Sequence, residues 1–164
     1  MSSHKIYCRH RRVEPSKRLS APIIKHCVRT ALSMEGVDMP CEVSVLITDD
    51  KGIRVFNRNY RGIDKATDVL SFPMLFFTQS GWANRVAEPI DLETGLVPLG
   101  EIVFSAERLD KQAYDFGHSR EQETAYLTVH SVLHLLGYDH VDEAEDKRDM
   151  REREKVIMKK IGNI

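Results

Sequence analysis

Late in the chain runs H-S-V-L-H-L-L-G-Y-D-H, residues 130–140, and no other stretch limits the fold so tightly. Ala125, Tyr126, Leu127, Val129, Val132, Leu133, Leu135 and Leu136 make a helix here apolar on nearly every side, so it must be buried. His130 and His134 are four residues apart, which stacks both imidazoles on one helical face. Gly137 permits the left-handed turn that commonly ends a helix. Tyr138 and Asp139 then supply two residues of turn before His140, which can fold back toward the same face. Imidazoles on a buried helix sit in poor solvent and must be paired or ligating. Three of them converging neutral would give three nitrogen ligands to a divalent ion, most naturally zinc, with a fourth position open to water. A lone histidine on an apolar face is ordinarily a hydrogen-bonded core residue; the i,i+4 pair with a third just past a glycine stop favours ligation. His4, His10, His26 and His118 share no such spacing and are expected at the surface.

The remaining pattern mixes strands and helices. Residues 5–13 (KIYCRHRRV) read as a short basic first strand, expected at a solvated sheet edge. Ser20 caps a helix reaching about Met34, with Pro22 in its first turn and Gly36 as its stop. Cys41 to Thr48 alternates Cys41, Val43, Val45 and Ile47 as a strand. Asp49-Asp50 opens a helix that turns Ile53, Phe56 and Tyr60 to the core. Val69 to Phe72 is a second β-rich run, closed by Pro73. Residues 74–97 have no steady period and read as a long loop, with room for a hairpin. Leu99 to Ser105 is a strand, Ala106 to Phe116 a charged helix, and Ser119 with Gln122 a capping box for the histidine helix. From Asp142 a charged helix carries a thin seam of Ala144, Met150, Ile157 and Ile161, with its charges read as a solvated face. No strict βαβ rhythm emerges, so the expected class is α+β, a mixed sheet in two or three layers.

At 164 residues the chain suits one domain, 1–164, with one core. A formal net charge of −1 provides no overall field toward nucleic acid or membrane, so any nucleic-acid contact must come from a local patch. No apolar run approaches the ~20 residues that span a bilayer, and the start lacks the apolar core of a signal peptide. Cys8, Cys27 and Cys41 are odd in number and contain no C-x-x-C pair. They read as reduced, mostly buried thiols in a cytoplasmic protein, and nothing in their spacing recruits one as a fourth metal ligand.

Zinc on three neutral histidines keeps its double charge and lowers the pKa of bound water toward neutrality, which suits attack on esters, amides or phosphodiesters. Zinc peptidases carry H-E-x-x-H, with the Glu as general base. Ser131 stands at that position, so peptidase chemistry is disfavoured. A second cluster, N-R-N-Y-R-G-I-D-K-A-T-D-V-L-S-F-P at residues 57–73, places Arg58, Arg61 and Lys65 in a loop before a strand. A guanidinium there can grip phosphate with a planar fork, although a cation in a turn is more often a solvated charge.

These two motifs, followed by L-G-E-I-V-F-S at residues 99–105, closely resemble the bacterial YbeY family from about residue 20 to the C-terminal helix. The resemblance implies a zincin-like mixed sheet and a zinc-dependent, single-strand-specific endoribonuclease. It further implies a role in ribosomal RNA maturation and ribosome quality control, with single-stranded RNA and the small ribosomal subunit as partners. It carries His130, His134 and His140 over as zinc ligands and Arg61 as the active-site arginine. Two positions depart from the family pattern: Ser131 stands where Gly is common, and Glu101 where Asp is commoner. The competing readings are a metal-dependent hydrolase of another substrate, and a ribosome-associated binding module whose zinc is structural. A closed fourth ligand would favour the last of these. The bond cut, the attacking group, the general base and the oligomeric state are left open by the residues alone.

Overall fold

In the strand Cys41–Thr48, here β2, alternate residues sort to the two faces of a sheet. Cys41, Val43, Val45 and Ile47 are fully enclosed on one face, while Glu42 and Ser44 are half exposed on the other. That alternation decides where the helices go, because only one face is apolar along its whole length. The computed structural model describes residues 3–138 and 144–164. Among them β2 is flanked by β1 (Lys5–His10) and β4 (Val97–Ser105), both parallel to it, and β3 (Val69–Pro73) runs antiparallel on the far side of β4. The order β1-β2-β4-β3 makes the sheet mixed, and β1 is the basic edge strand the sequence predicts.

Local chemistry sets the helix starts. Helix α1 (Ala21–Met34) begins where the Ser20 hydroxyl accepts from the Ile23 N–H, at 3.3 Å. Helix α2 (Asp50–Arg61) begins where Asp49 accepts from the Gly52 N–H at 2.8 Å. Ser105 caps α3 (Ala106–Phe116), and Ser119 with Gln122 forms the capping box of α4 (Arg120–Leu135). These caps satisfy backbone N–H groups that a helix cannot satisfy itself. The last helix is α5 (Ala144–Ile161), with Met150, Glu154 and Ile157 buried.

Helices α1, α4 and α5 close over the apolar face and enclose the main core, which includes Ile24, Val45, Phe104, Leu133 and Ile157. A smaller cluster of Leu46, Ile53, Leu70 and Val103 lies on the opposite face under α2. Tyr60 departs from expectation: it is 69% exposed, and the buried residue of that helical turn is the polar Asn57. Strand β4 starts at Val97, two residues before the expected Leu99. No helix among the described residues is long and apolar enough to cross a membrane.

The edge strand β3 frames the site. The Ser105 N–H donates to the Asp68 carbonyl and the Met74 N–H to the Leu99 carbonyl, both at 2.9 Å. In this register Leu70 and Phe72 turn their backbone groups toward β4, and Val69, Ser71 and Pro73 turn theirs to the open edge. Pro73 lacks an N–H, and the Val69 N–H is taken by the Asp68 carboxylate at 2.7 Å, so the edge is blunted against pairing.

Candidate metal centre

Helix α4 crosses the sheet with ten of its sixteen residues buried, and it turns His130 and His134 toward the end of β3. The two rings meet edge to face, with centroids 4.6 Å apart and planes at 83°. Their Nε2 atoms are 3.1 Å apart, and each Nδ1 points outward to an oxygen. The His130 Nδ1 is 2.9 Å from a Glu154 carboxylate oxygen, and the His134 Nδ1 is 2.9 Å from the Tyr138 carbonyl. A carbonyl can only accept, so His134 donates from Nδ1 and presents a lone pair at Nε2. Burial works against the charged form of Glu154. Hydrogen bonds from His130 and Tyr126, with the two imidazoles nearby, outweigh burial and hold its carboxyl below the usual range. Glu154 is thereby an acceptor, which fixes His130 as the same tautomer as His134.

Gly137 places the Tyr138 carbonyl. Its φ is +88°, and a Cβ there would stand 2.6 Å from the Phe77 ring. Both the handedness of the turn and the close approach require glycine.

Two inward lone pairs at this separation suit a small divalent ion. Nitrogens each ~2.0–2.1 Å from a tetrahedral zinc stand about 3.3 Å from one another. Outward Nδ1–H groups bonded to a carboxylate and a backbone carbonyl are the usual second support of metal-bound histidines. These two nitrogens suit such an ion, although the described residues alone hold no group of three metal-ligating side chains. His140 belongs to residues 139–143, outside those the structure describes, so its position is not part of this geometry.

The histidine pair opens on a cavity of about 630 Å³ that Arg61, Asp68, Ser71 and Phe76 also line. Arg61 lies in the last turn of α2, where the sequence reading had a loop, and its Nη1 donates to Asn57 Oδ1 at 3.5 Å. The Asn57 amide is buried and donates to the Lys65 carbonyl at 2.9 Å, which ties the 62–66 segment to the helix. Of the three cations considered, only Arg61 reaches the cavity. Arg58 lies 4.0 Å from Asp64, and Lys65 lines a separate hollow with Arg54. Ser131 is fully buried and does not line the cavity; its hydroxyl finds no partner among the described residues.

Two supports escaped the sequence reading. Glu154, assigned to a solvated helix face, is instead the buried partner of His130; only its helical spacing from Met150 and Ile157, one flank of the seam, hinted at it. Asp68 stands inside the 57–73 motif, where the residues alone give it no role. It accepts from Gln112 at 3.1 Å, and Gln112 also donates to the buried Glu123 at 2.9 Å. The surface expectation holds for His26 and His118, which are exposed, and needs correction for His4 and His10. His4 accepts from the Cys41 N–H and His10 from the Leu19 N–H, each at 3.1 Å and partly buried, while His118 sits 3.2 Å from Glu123. The cysteines are free thiols away from the cavity, and burial pushes Cys27 up to about 11 and Cys41 up to about 12.

The family described as Endoribonuclease YbeY matches residues 5–162. A protein of Clostridium kluyveri named Endoribonuclease YbeY is 45% identical over 157 residues, covering 93% of this chain and 94% of that protein. One of the same name from Caldicellulosiruptor bescii is 50% identical over 121 residues, covering 74% and 73%. A solution structure of a Thermotoga maritima protein superposes with a TM-score of 0.56 at 26% identity, covering 93% of this chain and 85% of that one.

Proposed function

The chain belongs to the YbeY family of endoribonucleases, and from that premise we propose that it cuts single-stranded RNA at a zinc ion held by His130, His134 and His140. As a family member it is a hydrolase acting on RNA, and a metal is expected with it. The substrate proposed is ribosomal RNA during maturation and quality control of the small ribosomal subunit, in the cytoplasm, by one domain spanning 1–164. The observation that carries the metal reading is the pair of Nε2 atoms 3.1 Å apart, each with its Nδ1 anchored outward.

Zinc in this place would lower the pKa of a water toward neutrality and polarise the phosphate. The chain's own residues do the rest. Glu154 and the Tyr138 carbonyl take the two Nδ1–H groups, which fixes both rings in orientation with Nε2 turned inward. Arg61, on the same cavity, offers a planar fork to the non-bridging oxygens of the scissile phosphate, where charge accumulates as the bond breaks. Asn57 holds that arginine's helical turn against the 62–66 segment, so the fork is presented from a rigid base.

The direct test compares cleavage of one RNA sequence as a single strand and as a duplex, with the parent and with Arg61→Ala. The parent should cut the single strand, and Arg61→Ala should keep its metal and fold while cutting ~10²–10³ times more slowly. Arg61→Lys should recover only part, because a point charge lacks the fork. Equal cutting of duplex, or parental rates in Arg61→Ala, would remove the corresponding half of the reading.

A further inference from the structure

Phe76 is 81% exposed, yet it belongs to a segment pinned on every side. Its neighbour Leu75 is buried and Phe77 packs against the core, so the chain alternates inward and outward and Phe76 is the outward residue. The Val86 N–H donates to the Phe76 carbonyl at 2.9 Å, and the Thr78 N–H to the Asn84 carbonyl at 2.9 Å. Trp82 anchors the far side of the loop, donating from its indole to Asp38 at 2.9 Å beneath the Arg85 guanidinium, 4.0 Å above the ring. The Gly81 N–H donates to the Leu136 carbonyl at 2.9 Å, fastening the loop to the turn that follows His134. A bare phenyl ring is thus held in water by a braced scaffold, on the wall of the cavity that holds both imidazoles and Arg61.

Resting on the endoribonuclease reading, we propose that Phe76 is a stacking platform for one unpaired nucleobase beside the scissile phosphate. Every base offers a π-face, so such a platform binds RNA without reading its sequence. A base inside a duplex already has both faces stacked, and only a splayed single strand can lay one on the ring. Arg61 supplies the matching charge for the phosphate of the same nucleotide. The ring therefore provides a physical basis for preferring single strands that needs no gate and no moving part.

The test uses the full-length, metal-loaded protein and a short single-stranded RNA with one cut site, in two forms. One form is intact; in the other a single abasic residue is walked through the positions flanking the cut. Phe76→Ala should raise KM for intact RNA roughly 5- to 100-fold, with kcat close to parental and zinc content and circular dichroism unchanged. Phe76→Trp should restore the parental KM. At one flanking position the abasic RNA should cost the parent as much as Phe76→Ala does, and combining the two should add no further loss. Binding of the same RNAs to metal-free protein should repeat the pattern without any cleavage. A parental KM in Phe76→Ala, no rescue by Phe76→Trp, or equal losses on intact and abasic RNA would overturn the proposal; the last outcome would point to an apolar protein partner. A parent that neither binds nor cuts RNA would remove the endoribonuclease reading, and this proposal with it.

Discussion

Two pairs of histidines in this molecule are wired in opposite senses. On the β1 side, the His4 Nδ1 and the His10 Nε2 each accept a backbone N–H, from Cys41 and Leu19. On α4, His130 and His134 direct Nδ1 outward to oxygen acceptors and bring both Nε2 atoms together. In the first pair the fold takes a lone pair; in the second it takes the N–H groups and turns the two Nε2 atoms toward each other, 3.1 Å apart. The same side chain serves as a staple in one place and, on the function proposed above, as a ligand in the other. The partner of the far nitrogen tells them apart better than burial does, since all four are partly buried.

Removing a ligand should give the largest effect that can break this contrast. His134→Ala should lose most of its bound zinc by elemental analysis and nearly all cleavage, a larger loss than the ~10–100-fold typical when only a supporting partner goes. Some thermal stability should go as well, because bound metal favours the folded state. Full retention of zinc would make the α4 pair a staple like the other.

Glu154→Gln sharpens the comparison by sparing both ligands. It keeps an oxygen near the His130 Nδ1 and removes the charge that makes the ring basic. Zinc affinity, measured by competition with a chromophoric chelator, should fall ~10–100-fold with the fold intact. An unchanged affinity would mean that Glu154 only fills space.

The staples should behave in the reverse way. His10→Ala leaves the Leu19 N–H without its acceptor, costing about 1–3 kcal/mol in urea unfolding while zinc content stays parental. Burial and then the Arg18 charge hold the folded His10 ring below its ordinary pKa of about 6.5, and burial with Arg29 does the same for His4. The unfolded chain therefore takes up these protons first as pH falls. The stability involved is fully present above about pH 6.5 and is lost progressively below it. The urea midpoint should drop between pH 7 and pH 5.5, and His10→Ala should flatten part of that drop. A parental pH profile in that variant would remove His10 from the account.

The smallest effect expected is at Ser131. Its hydroxyl is buried and takes no part in the cavity, so Ser131→Ala should leave cleavage within a few-fold of parental and stability level or slightly higher. A large loss of cleavage would restore a role at the position where peptidases carry Glu.

Much of this structure is legible in the chain because its signals are local. Ser20, Asp49, Ser105 and Ser119 cap within three residues of themselves, and the alternation of β2 and the spacing of His130 and His134 are read within one element. What escaped depends on contacts far apart in sequence. Glu154 lies 24 residues beyond His130 on a helix whose charge pattern looks fully solvated. His4 finds its partner 37 residues away. Residues 74–97 show no period because their order comes from anchors such as Trp82 on Asp38, 44 residues apart, rather than from a repeating pattern. Tyr60 has the spacing of a core residue, but α2 covers only the small cluster on its face of the sheet and leaves that ring outside.

The central claim is that the α4 histidines serve an open, nitrogen-ligated zinc. X-ray absorption at the zinc edge of the purified protein tests it most directly. The account predicts four nitrogen or oxygen neighbours at ~2.0–2.1 Å, three of them with the outer-shell scattering of imidazole rings and one without it, from solvent. A sulfur shell at ~2.3 Å, or four protein ligands with no solvent oxygen, would contradict it and make the metal structural.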